Sequence, residues 1–190
     1  MTFLKQNKIL IFLLLCTIIF FQGILKLPVM DRDEARFATA TKTMIETKDF
    51  VDIKMFDESR YKKPIGIYWS QVLANYLLGN EPYDSIWVYR LPSFFGIMVS
   101  FFLLYFYLLR TYNKDVAFLS IYFLISFFLT ISEMHQAKTD GLLFLTINVA
   151  NLLIFELIRT RKIKYFLKII FWIFLAFGVL LKGPIIFIFV

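Results

Sequence analysis

Five apolar stretches, residues 9–29, 91–109, 116–132, 141–158 and 166–181, are each long enough, or nearly so, to cross a bilayer as a helix. A hydrocarbon core of roughly 30 Å takes about 20 apolar residues. In lipid every backbone N–H and C=O must be paired within the chain, so a polypeptide of this kind folds as a multi-pass helical bundle. Hydrophobic residues make up 59% of the 190, with 24 phenylalanines, more than a small soluble domain can hide. The expected fold class is all-α integral membrane, with about five to six spans. Residues 184–190 read as the start of a further span that stops at Val190, so the chain is read as the N-terminal part of a longer protein or the product of a truncated gene.

The bundle is interrupted once, by the polar segment 30–90. A net charge of +7 in a soluble protein would point to nucleic acid, but here the basic residues sort by connection. Lys5 and Lys8 precede the first span, Arg110 and Lys114 lie in the second connection, and Arg159, Arg161, Lys162, Lys164 and Lys168 in the fourth. Segment 30–90 instead balances nine Lys/Arg against ten Asp/Glu, and 133–140 sets Lys138 against Glu133 and Asp140. The positive-inside rule then puts the N-terminus in the cytoplasm and 30–90 outside, as the first outer loop. The first span is too long for a signal peptide, and Leu27-Pro28-Val29 is no small-residue cleavage site, so it reads as an uncleaved anchor. Cys16 is the only cysteine, which excludes a disulfide within the chain.

Within the loop, residues 33–48 read as an amphipathic helix with Asp31 or Asp33 as N-cap and Phe37, Ala40, Met44 and Ile45 on one apolar face, expected to lie on the membrane surface. Residues 50–63 read as a charged loop. Pro64 opens a second interfacial helix over 65–78, with an aromatic-rich face of Ile65, Tyr68, Trp69, Val72, Tyr76 and Leu77.

The chemistry resides in this loop and at the span ends on its side. Asp33, at a helix N-terminus, is held as a carboxylate that can accept a proton, orient an acceptor hydroxyl or bind a divalent metal. Its residue type fits a simple helix cap equally well. Arg36, one turn on, can hold Asp33 or bind phosphate. Arg60, Lys62 and Lys63 suit phosphate recognition, and also attraction to anionic headgroups. Arg90, Asp140 and Lys182 fall at the same outer side. His135, the only histidine, lies near Glu133 and Asp140, which leaves a metal role open beside a structural one.

The motifs DEARF, KKPIGIYW, YRLPS, AKTDGLLF and LLKGP occur in that order. In them the chain resembles the N-terminal half of the membrane glycosyltransferases of the GT-C fold, in particular the bacterial aminoarabinose (lipid A) transferases and the wider protein-mannosyltransferase-like group. The resemblance implies a transferase that moves a sugar from a polyprenyl-phosphate donor to a lipid, glycan or protein acceptor on the outer face of the cytoplasmic (inner) membrane. Asp33 and Asp140 match the family's acidic catalytic positions; Arg36, Lys63, Arg90 and Lys182 are expected to bind the donor phosphate. Lys62 stands where the family often has a carboxylate that helps hold a divalent metal, which puts metal use in doubt. Beyond the donor lipid and the bilayer, the missing C-terminal half as a separate chain is an expected partner, and nucleic acid is not. The alternative is a non-catalytic remnant or a subunit that binds carrier lipid without chemistry. A transporter fits less well, since the charges collect at one face rather than near the midplane.

Overall fold

The computed structural model describes residues 8–160 and 165–190; Lys5, Arg161, Lys162 and Lys164 of the charge pattern lie outside them. The chain is a helical bundle. Its elements are α1 (Lys8–Lys26), α2 (Arg32–Thr47), a hairpin of β1 (Lys54–Met55) and β2 (Glu58–Ser59), α3 (Gly66–Leu78), α4 (Ile86–Thr111), α5 (Lys114–Ser126), α6 (Phe128–Met134), α7 (Asp140–Thr160), α8 (Tyr165–Lys182) and a 3-10 helix (Gly183–Ile188).

By length and composition, α4, α7 and the run Tyr165–Ile188 can each cross a membrane, and α5 with α6 makes a fourth crossing if the bent pair is one span. The apolar part of α1, Ile11–Lys26, is shorter. Large side chains such as Ile18, Ile19, Phe128, Phe166 and Trp172 point outward, the expected face of a protein whose solvent is lipid. The chain is thus a multi-pass membrane protein.

Helix α4 is the central post and packs most extensively against α7. Small residues let their backbones meet: a Cβ added at Gly141 would stand 2.6 Å from the Ser93 carbonyl oxygen, and one at Gly96 would stand 2.5 Å from that of Gly141. Gly141→Val should therefore push the helices apart and displace Asp140 beside it. The expected result is a melting temperature lower by several degrees in detergent, with Gly96→Val behaving alike. At the far end of the pair, Glu156 accepts from Arg110 at 3.3 Å and from Arg159 at 2.8 Å.

Two expectations change. Residues 116–132 do not form one straight span: α5 and α6 meet at a 70° bend, where Phe127 takes an extended conformation. Ser126 donates its hydroxyl to the Tyr122 carbonyl, a side-chain bond known to bend helices. No proline or glycine marks the bend. The apolar face of α2 is also not laid on the membrane. Phe37, Ala40, Met44 and Ile45 are buried against Ile67, Tyr68 and Val72 of α3 and against Leu142 and Leu181 of the spanning helices. Of residues 184–190, 184–188 form most of the 3-10 helix, with Ile186 buried beside Leu143 and Leu175.

Candidate functional site

Helix α2 is pinned to the bundle by one buried ion pair. Glu34 and Arg90 are both fully buried, with Arg90 Nε donating to Glu34 Oε1 at 2.7 Å and Nη2 to Oε2 at 3.1 Å. The remaining guanidinium N–H groups donate to the carbonyls of Ile24, Leu27 and Pro28. These are oxygens at and just beyond the end of α1, where a helix leaves its carbonyls unpaired and favours a cation. Glu34 also accepts from the backbone N–H groups of Met30 and Ala137. The expected phosphate role of Arg90 is therefore corrected. All five of its donors are taken by protein acceptors.

A second buried polar group reinforces the first. Gln71 of α3 accepts from the Thr41 hydroxyl of α2 at 2.6 Å and donates to the Tyr89 carbonyl of α4 at 3.3 Å. Ser93 then donates its hydroxyl to the Lys138 carbonyl at 2.7 Å, docking the 135–139 connection on α4. Both ring nitrogens of His135 face backbone carbonyls, those of Ile131 and Phe20, so the histidine serves packing. Gly23 makes room for its ring.

With this frame in place, charged side chains collect on one rim. Asp31 caps α2, accepting from the Asp33 N–H, and pairs with Lys138. The Lys138 ammonium, followed by the Asp33 N–H, holds the Asp31 carboxyl below the usual range. Burial pulls Lys138 down, but Asp31, Glu133 and Asp33 outweigh it and leave the ammonium above its ordinary value. Asp33 is exposed and pairs with Arg36 at 3.3 Å. Asp140, the first residue of α7, meets Lys182, the last residue of α8, at 2.5 Å. Glu133 lies within electrostatic reach of Asp140, Lys138, Lys182 and Asp31.

Below the rim is a cavity of about 550 Å³. Glu133, Asp140 and Lys182 supply its charged lining, while Ile97, Leu143, Phe144, Ile147 and Ile185 make apolar walls. Such a space takes a ligand with an apolar body and an anionic or polar head. Lys63 is half-buried and has no ion-pair partner among the described residues. Its segment enters α3 at Gly66, which abuts the Leu180 backbone, two residues before Lys182. The structure thus joins Asp140 to Lys182, brings the Lys63 segment to the same end, leaves Asp33 with Arg36 on the exposed rim, and removes Arg90. Among the described residues no three His, Cys, Asp or Glu side chains converge as metal donors, and Lys62 is exposed.

Glu34 was legible, had its phase been followed. It precedes Phe37 by three residues and Thr41 by seven, on the buried stripe of α2, and a buried carboxylate requires a cation. Nothing in the sequence pairs Ser93 with Lys138.

The fold is that of ArnT from Cupriavidus metallidurans. The match covers 96% of this chain and 34% of that one at 15% identity, with a TM-score of 0.80 for the apo form and 0.82 for the form bound to undecaprenyl phosphate. At that identity the match shows the fold alone, that of a multi-pass helical membrane protein. The chain belongs to the dolichyl-phosphate-mannose-protein mannosyltransferase family, whose model matches residues 62–190. It is also similar to the undecaprenyl phosphate-α-4-amino-4-deoxy-L-arabinose arabinosyl transferase of Photorhabdus laumondii, 26% identical over 129 residues. A second such transferase, from Proteus mirabilis, is 25% identical over 145 residues. These matches take in 67% and 76% of this chain but only 23% and 25% of those proteins.

Proposed function

We propose that the protein transfers a sugar from a polyprenyl-phosphate donor to a lipid, glycan or protein acceptor at the outer face of the inner membrane, with its N-terminus in the cytoplasm. The observation that supports this reading best is the apolar cavity headed by the Asp140–Lys182 pair. A prenyl chain suits the apolar walls, and a phosphate at the rim suits Lys182, which a carboxylate already holds in place. The family, and relatives whose names specify an undecaprenyl-phosphate sugar, favour the same donor.

In this mechanism the acceptor oxygen attacks the anomeric carbon of the sugar. The anomeric C–O bond to the carrier phosphate breaks, and the carrier leaves as its phosphate. Lys182, Lys63 and Arg36 neutralise the charge that develops on the leaving phosphate. Asp140 holds Lys182 and lines the reacting space. Asp33 stands on the exposed rim, where a water-side acceptor arrives, and accepts or orients its proton. An acceptor that is itself a phosphate needs no base, and Asp33 then acts by positioning.

The test is incorporation of labelled sugar from a polyprenyl-phosphate donor by membranes that contain the full-length protein. Lys182→Met should weaken use of the donor about tenfold, the loss expected for one charged hydrogen bond. Absence of transfer from every polyprenyl-phosphate sugar, with the protein folded and inserted, would overturn the reading in favour of a carrier-lipid-binding protein without chemistry.

A further inference from the structure

Among the described residues, five polar side-chain atoms are buried without a hydrogen-bond partner, on Arg60, Tyr68, Asn75, Glu133 and Gln136. Of these residues only Glu133 lines the large cavity. The donor reading does not use it. Past the bend at Phe127, α6 turns away from α5 by 70° and carries Glu133, its penultimate residue, within electrostatic reach of Lys182. A carboxylate against apolar walls with one oxygen unpaired by the protein leaves that oxygen to be satisfied by whatever occupies the cavity. A prenyl chain does not satisfy it, and a phosphate beside it is repelled. What satisfies it on a ligand is a donor, a hydroxyl or an ammonium.

Resting on the donor reading, we infer that Glu133 is a specificity-determining residue that accepts a hydrogen bond from a hydroxyl or ammonium group of the sugar carried by the lipid phosphate. Three features support the assignment together. Lys182 and Asp140 set the level of the phosphate at the rim. Glu133 lines the same cavity within electrostatic reach of both, so a sugar joined to that phosphate is delivered to its carboxylate. The terminal torsion of a glutamate is soft, so either oxygen can turn toward the ligand. Lys138 and Lys182 also face Glu133, with Asp140 and Asp31 opposing them. The local charge is thereby near balance, and the carboxylate is not needed to offset a surplus of cations.

The experiment measures affinity of the purified full-length protein for three lipids: bare polyprenyl phosphate, the same lipid carrying a neutral sugar, and the same lipid carrying an amino sugar. The wild type should bind at least one sugar-bearing lipid more tightly than the bare one. Glu133→Leu should erase that preference, a loss of about tenfold or more for the sugar-bearing lipid, with binding of the bare lipid unchanged or tighter. Glu133→Gln keeps an acceptor oxygen without charge. It should retain preference for the neutral sugar if the contact is to a hydroxyl, and lose preference for the amino sugar if the contact is to an ammonium. Equal change of all three lipids in both variants, or an unaltered preference, would overturn the role of Glu133 while leaving the donor site intact. A wild type that binds none of the three removes the donor reading itself, and this inference with it.

Discussion

Glu34→Ala is expected to destabilise the protein by about 3–5 kcal/mol, the cost of stranding one member of a buried ion pair. The substitution leaves the Arg90 guanidinium fully buried with three carbonyls and no counter-charge. It also leaves the Met30 and Ala137 N–H groups without their carboxylate partner. Four elements meet at this point, the end of α1, the start of α2, the first turns of α4 and the 135–139 connection, so the loss is not local. Asp33→Ala, one residue earlier, is the internal control. Its partner Arg36 is a surface contact, and exposed pairs contribute about 0–1 kcal/mol. Thermal unfolding of the full-length protein in detergent should separate the two neighbours clearly. Equal behaviour would show that the Glu34–Arg90 pair is not what holds α2 to the bundle. Arg90→Lys should fail nearly as badly as Glu34→Ala, because a point charge with three donors cannot replace a planar fork serving four residues.

Asp33→Asn should leave that stability intact and stop transfer. The side chain is exposed and its replacement is isosteric, so the helix and its cap, which Asp31 supplies, persist. What disappears is the capacity to accept a proton, which is worth about 10²–10⁴ in rate for a general base. The effect should fall on kcat, with affinity for the donor lipid unchanged, since the donor phosphate is assigned to the cations. Lys182→Met should show the opposite division. Full transfer by Asp33→Asn would sink the assignment and move the base to Asp140. A reduction of only a few fold would identify the acceptor as a phosphate, for which Asp33 positions but does not deprotonate.

The two neighbours Asp33 and Glu34 show how far a sequence can be read. Their acidity, their place at a helix start and the resemblance of DEARF to the GT-C transferases were all visible. Periodicity placed Phe37, Ala40, Met44 and Ile45 on one face, and that face is buried. The same period assigns Glu34 to the interior and Asp33 to the rim, yet a carboxylate reads as solvated until its cation is known. The cation is 56 residues away. Arg90 presents the converse case: an arginine at a span end reads as a phosphate ligand, and only its five acceptors show that none of its donors is left for one.

The bend at Phe127 was not legible, because the residues around it are ordinary helix formers or aromatics and no proline or glycine interrupts them. It nonetheless sets the direction of α6, which carries Glu133 and lines one wall of the cavity.

Residue order alone was enough to show that this chain lives in a membrane, that its polar chemistry gathers at one end of the spans, and to which family it is similar. Those properties follow from local composition and from short motifs, which need no partner to be recognised. Which charges are structural and which line the cavity became visible once the helices were packed together. Burial and hydrogen-bond satisfaction are properties of pairs, and the pairs that matter here, Glu34 with Arg90, Asp140 with Lys182 and Ser93 with Lys138, join residues far apart in the chain.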